Sequence, residues 1–217
     1  MIKTFIAEYN KNHNPQINVG MQVNAGPQTV IGQPQKINVN RISIQDHATN
    51  PSNKYIEELR WKNGNKMAVA IGLNPSQCPP NPMDKTNELL CYLFSLKYDG
   101  YFLMNLYSLK QTNNFHRRGV VNQTDAIRDS IVNFVNNNNL QSIDIFFFFE
   151  RSCYLTEDIK NNLANIARGI NNATVNFYKI VSINFPDLHQ HPSRLSPKTI
   201  GSKIIGKTLN IQEKFLK

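Results

Sequence analysis

The sequence predicts an α/β fold: a three-layer α/β/α arrangement around a central, mostly parallel four-stranded sheet, preceded by an N-terminal β-rich extension. Three observations carry this expectation. From Tyr55 onward, short continuous apolar runs alternate with segments of helical periodicity, the signature of parallel strands buried under helices. Before that point apolar residues alternate singly with small or polar ones, as in half-buried antiparallel strands. Strand ends coincide with Gly, Asn and Pro, which punctuate tight exits.

In residues 1–54, Ile17, Val19, Met21 and Val23 alternate with Asn or small residues. Ile37 and Val39, then Ile42 and Ile44, repeat the pattern with a one-residue slip that reads as a bulge. Gly26-Pro27 and Gly32-Gln33-Pro34 supply turns, so a small antiparallel appendage is expected, a partly disordered leader being the alternative. Residues 55–217 form the second unit. Met67 to Gly72 is the first buried strand, and Thr86 to Lys97 a helix with Leu89, Leu90, Leu93 and Leu96 on one face. Tyr101 to Leu106 is the second strand. Asp125 to Val135 is a helix carrying Ile127, Ile131, Phe134 and Val135. Ile143 to Phe149 is the third strand, whose four consecutive phenylalanines require burial on both faces. Thr156 to Ala167 is a helix with Ile159, Leu163 and Ile166 facing inward, and Val175 to Val181 is the fourth strand.

A chain of 217 residues buries roughly 70% of its unfolded surface and needs no disulfide staple. Cys78, Cys91 and Cys153 are odd in number and lack metal-ligand spacing, which points to a reducing, cytoplasmic setting. The longest apolar run is far too short to cross a bilayer, and no apolar leader begins the chain, so neither a membrane nor a secretory route is expected. A net charge of +9 favours polyanionic partners without distinguishing DNA from RNA or an acidic protein.

In sheets of this class ligands bind beyond the carboxyl ends of the strands. The first strand runs directly into Gly72-Leu73-Asn74-Pro75-Ser76, where glycine permits a tight exit and proline keeps Asn74 extended at the rim. An ordinary Asn-Pro turn would look the same. The second strand ends at Asn105, flanked by Met104 and Leu106; a buried amide there must find partners, either neighbouring backbone or the edge of a nucleobase. The last strand is followed by His189-Gln190-His191-Pro192-Ser193-Arg194-Leu195-Ser196-Pro197, which reads as a surface turn or as a donor loop beside an anion. The two histidines are a weak metal signal, and no metal or cofactor is expected.

Taken in order, these three elements resemble the uracil-DNA glycosylase superfamily over Gly72 to Pro197. Gly72-Leu73-Asn74-Pro75 is similar to the first motif of its mismatch-specific branch, and Leu103-Met104-Asn105 to its pyrimidine-reading strand. His191-Pro192-Ser193-Arg194-Leu195-Ser196 differs at one position from the loop of the principal branch. The same span is similar to a bacterial family of unknown function with an Asn-Pro-Ser signature, often carried on mobile elements.

The resemblance implies a monofunctional DNA glycosylase that hydrolyses the N-glycosidic bond of uracil and leaves an abasic site. Asn74 would hold the attacking water and His191 would stabilise the departing uracil anion. Asn105 would pair with the base, with Gly72, Leu73, Pro75 and Ser76 shaping its pocket. Ser193, Arg194 and Ser196 would grip the DNA backbone and Leu195 would probe the gap left by the flipped nucleotide. The expected partner is uracil-containing DNA, single-stranded or duplex, with a protein inhibitor or replication partner as a further candidate; the chain is expected to be monomeric. Where the principal branch carries a water-activating aspartate there is Asn74, and no aromatic follows Pro75. Tyr92 and Phe94 are candidates for stacking on the base, and Asp84 is either an extra acid–base group or a cap for the helix near Thr86. No lysine is placed for a Schiff base, so no lyase step is expected. Cys78 and Trp61 read as packing residues. His116-Arg117-Arg118 and the C-terminal lysines read as a solvated surface or a DNA-backbone contact. The alternatives are a glycosylase for another modified base and a non-catalytic DNA-binding module on the same fold.

Overall fold

The computed structural model of the chain describes residues 1–12, 22–30, 37–46, 53–75, 85–108, 122–148, 156–182, 185–189 and 204–208. Its centre is a block of four parallel strands: β4 (Met67–Gly72), β5 (Gly100–Asn105), β6 (Ser142–Phe147) and β7 (Thr174–Ser182). β4 pairs with β5 on one side and β6 on the other, and β6 pairs with β7. Every residue of β4 and β5 is buried, which explains why both read as unbroken apolar runs.

The expected four-stranded sheet is too small. Among the described residues the sheet has nine strands and is mixed, in the order β1-β2-β3-β5-β4-β6-β7-β8, with β9 also on β7. β1 (Gln22–Val30), β2 (Ile37–Asp46) and β3 (Asn53–Arg60) add antiparallel to the β5 side, and β8 (Phe185–His189) and β9 (Ile204–Thr208) pair antiparallel with β7. The strands of the N-terminal segment therefore continue the central sheet through β3. The slip between Val39 and Ile42 is not an extra residue in β2. The ladder irregularity falls between Ala25 and Gln28 of β1, while β2 keeps its alternation. Val39 packs on one face of the sheet and Ile42 and Ile44 on the other, and the position that breaks the apolar pattern is the buried Arg41.

Helices cover both faces. On one lie α1 (Ile2–Asn12), α3 (Thr124–Asn137) and α4 (Glu157–Gly169), packed on Val69, Ile71, Phe102, Met104, Ile145 and Phe147. On the other α2 (Lys85–Phe94) brings Leu90, Cys91 and Phe94 onto Ala68, Ala70, Tyr101 and Leu103. The phenylalanine run divides as the pleat requires: Phe147 faces the three-helix side, Phe146 and Phe148 the α2 side. Leu96 departs from expectation. α2 ends at Phe94, so Leu96 falls in the following turn and is 91% exposed. α4 is capped by Thr156, whose Oγ1 accepts from the Ile159 amide. α1 was not expected; Ile2, Phe5, Ile6 and Tyr9 form its buried stripe, and Glu8 accepts from Asn133 of α3. No helix among the described residues is long and apolar enough to cross a membrane.

Candidate functional site

The connection from β4 through α2 leads to β5 on one side, whereas α3 carries the chain back across β4 to β6 on the other. Such a reversal opens a crevice between the carboxyl ends of the strands that flank it, here β4 and β6. Gly72, Asn105 and Phe148 meet there.

Gly72 is the register partner of Asn105, and its carbonyl accepts from the Leu106 amide at 2.9 Å. One residue on, the Leu73 carbonyl accepts from Tyr107 at 3.0 Å, so the first motif is zipped onto the strand after Asn105. On the other side the Phe148 amide donates to Ile71 at 3.1 Å. A Cβ at position 72 would stand 2.6 Å from Asn105 Oδ1 and 2.6 Å from Cε2 and Cζ of Phe148. Glycine is required because the amide and the ring close over the backbone from opposite sides. The predicted motif residues thus have a steric role in addition to any turn they make.

Asn105 is 4% exposed. Among the described residues its side-chain amide makes no hydrogen bond. Its backbone, by contrast, is held firmly. Gln123, entirely buried at the entrance to α3, donates from Nε2 to the Asn105 carbonyl at 2.5 Å and to the Tyr55 carbonyl of β3 at 3.3 Å. The Gln123 amide also donates to the Leu106 carbonyl at 3.0 Å. Its Oε1 is the buried side-chain acceptor without a partner among the described residues.

Asn74 is half-buried two residues beyond Gly72, with Nδ2 reaching the Pro75 carbonyl at 3.5 Å. Leu73 is half-buried and Pro75 buried. The structure therefore brings Gly72, Leu73, Asn74, Pro75 and Asn105 to one rim. Ser76, Asp84, His191, Ser193, Arg194, Leu195 and Ser196 lie outside the described residues, as do Cys78, Cys153 and His116-Arg117-Arg118. Phe94 is taken up by the core, its ring centroid 4.7 Å from that of Phe146, and Tyr92 is half-buried on α2. The ring at the rim is Phe148, which had no signal beyond membership of an apolar run. Gln123 had none either; an isolated glutamine before a helix is unremarkable until the strand register is known. Trp61 is a packing residue as expected, its indole donating to the Tyr98 carbonyl at 2.8 Å.

Residues 55–143 match the model of a family described as Protein of unknown function (DUF1643). The matched span runs from β3 to the start of β6 and contains Gly72, Asn74, Asn105 and Gln123, while residues 191–196 lie beyond it. A likeness to a family of unknown function is thus found, over a span that begins earlier and ends sooner than Gly72 to Pro197; no comparison connects the chain with the uracil-DNA glycosylase superfamily. No curated protein matches the chain. No solved structure matches it either.

Proposed function

We propose that this protein is a DNA glycosylase that hydrolyses the N-glycosidic bond of uracil in DNA and leaves an abasic site. The observation that supports this most is the amide of Asn105, held at the rim between Gly72 and Phe148 with no partner among the described residues. An amide presents a donor and an acceptor side by side, the complement of a pyrimidine edge. Breaking the bond places positive character on the sugar and negative charge on the departing base. In this reading water held by Asn74 adds to the anomeric carbon as its bond to N1 breaks, and the electron pair leaves with the uracil. His191 donates a hydrogen bond to the anion, and the proton released by the water ends in solvent. A preorganised donor of this kind contributes about 10²–10³ in rate. The base must first leave the stack, which is least costly in single strands. Single-stranded DNA is therefore the proposed preferred substrate, held by the chain's positive balance.

The test is alkali-revealed strand cleavage of labelled oligonucleotides carrying one uracil, single-stranded and paired with guanine. Wild-type protein is expected to cleave, and Asn74→Ala and His191→Ala each to slow cleavage by about 10²-fold or more. Intact DNA binding without cleavage would turn the assignment toward another modified base or a non-catalytic DNA binder. Equal or faster cleavage of the duplex would remove the single-strand preference.

A further inference from the structure

We infer that Gln123 is the positioning residue of the base-reading amide, an assignment that rests on the glycosylase reading for its consequence in catalysis. On the β4 side Asn105 is paired with Gly72, but on the β3 side the ladder ends one residue earlier, at Ile56 and Met104. Gln123 replaces the missing ladder. Its two Nε2 protons go to the carbonyls of Asn105 and Tyr55, one on β5 and one on β3, and its own amide goes to Leu106. Two of these bonds hold the carbonyls of Asn105 and Leu106, and the third ties them to Tyr55 of β3. Tyr55 is itself buttressed by the ring of Tyr9 from α1 at 5.0 Å, so the clamp is anchored outside the parallel block.

The chemistry of the clamp explains the orphaned Oε1. A glutamine that spends both protons on backbone carbonyls turns its oxygen the other way, into a site that supplies no donor. Its presence fits a demand for two donors aimed at the strand end that carries Asn105. A methionine at this position keeps the shape and the backbone bond to Leu106 and removes both the donors and the stranded oxygen. The carbonyls of Asn105 and Tyr55 each lose a donor, so some stability is expected to be lost, and the Asn105 amide loses its fixed bearing.

The decisive measurement compares wild type with Gln123→Met, using Ile127→Val as a control for general loosening of α3. Amide ¹⁵N relaxation of the Asn105 side chain should report a rigid group in wild type and in Ile127→Val, and a mobile one in Gln123→Met. The melting temperature of Gln123→Met should fall, and Ile127→Val, which also loosens the fold, separates that loss from the loss of the two donors. On single-stranded uracil substrate, kcat/KM should fall by up to about 10²-fold in Gln123→Met alone, with discrimination of uracil from cytosine reduced. A rigid Asn105 amide in Gln123→Met would overturn the assignment, as would mobility equal to that of Ile127→Val. Silence of the wild-type protein on every uracil substrate would overturn the glycosylase reading instead, and the relaxation data would still decide whether Gln123 positions Asn105.

Discussion

The bonded carboxylates of this protein, the buried Glu57 and the half-buried Asp144, and its rim amides handle polarity in opposite ways. Glu57 on β3 is closed off completely, yet both oxygens are in use. Arg41 donates from Nε at 2.8 Å and from a terminal nitrogen to Oε1, while Lys54 at 2.7 Å and Asn87 at 3.2 Å reach Oε2. Asn87 passes the network on by accepting from the Tyr101 hydroxyl at 2.7 Å. Burial opposes ionisation of Glu57, but the charges and hydrogen bonds of Lys54 and Arg41 outweigh it and hold the carboxyl below the usual range. Asp144 on β6 is served in the same fashion by Tyr98, Lys97 and Asn176. At the rim, among the described residues, the Asn105 amide has no partner and Gln123 Oε1 no donor. Saturated polar groups join β2, β3 and α2 into one structure. Unsaturated ones beside a strand end are where the proposed function calls for a ligand to complete the bonding.

The comparison predicts that the saturated clusters carry stability. Glu57→Gln keeps the shape but leaves Arg41 and Lys54 facing each other in the interior without an opposing charge. Breaking a buried ion pair in this way costs about 3–5 kcal/mol, measurable as a fall in the urea midpoint. A loss under about 1 kcal/mol would mean that the network is incidental and the contrast with the rim is false.

How much of this was legible in the sequence follows from how local each cause is. The four parallel strands and three of the helices announce themselves because their burial depends on runs and periods within a few residues. β3 does not, since Glu57 and Glu58 sit in its middle, and the burial of Glu57 is licensed only by Arg41, sixteen positions away, together with Lys54. Arg41 likewise disguises β2, turning an ordinary alternation into an apparent slip. α1 has a readable stripe in Ile2, Phe5, Ile6 and Tyr9, but what stabilises so short a helix is α3, more than a hundred residues on. At the site, Gly72 and Asn105 are visible as strand-end residues. Phe148 and Gln123 acquire meaning only when register sets β5 beside β4 and β4 beside β6.

Asp144 offers a smaller and pH-dependent version of the Glu57 experiment. Burial disfavours its charge, but hydrogen bonds from Tyr98, Asn176 and Lys97 and the charge of Lys97 prevail and lower its pKa. Because the folded value is depressed, the carboxylate contributes stability above its unfolded value, and this is lost as pH falls through the folded one. With Lys97 largely exposed to screening, Asp144→Asn should therefore lower stability by up to about 1 kcal/mol at neutral pH and by progressively less below about pH 4. Denaturation curves across pH decide the matter, and a deficit that stays constant into acid would show that the carboxylate's charge is not what matters there.

The smallest expected effect on stability belongs to the residue with the largest expected effect on function. Asn105→Leu removes the unpaired amide and fills the same volume with apolar atoms. Deleting a nearly buried group that has no partner should leave stability within about 1 kcal/mol of wild type, or raise it. Cleavage should fall to background, because a leucine offers nothing to the edge of a base. This dissociation separates a site kept for chemistry from a polar cluster kept for structure, since proteins hold strained or unsatisfied groups mainly where function requires them. A loss above about 2 kcal/mol on Asn105→Leu would place the Asn105 amide with Glu57 and Asp144, as a group whose partners serve the fold.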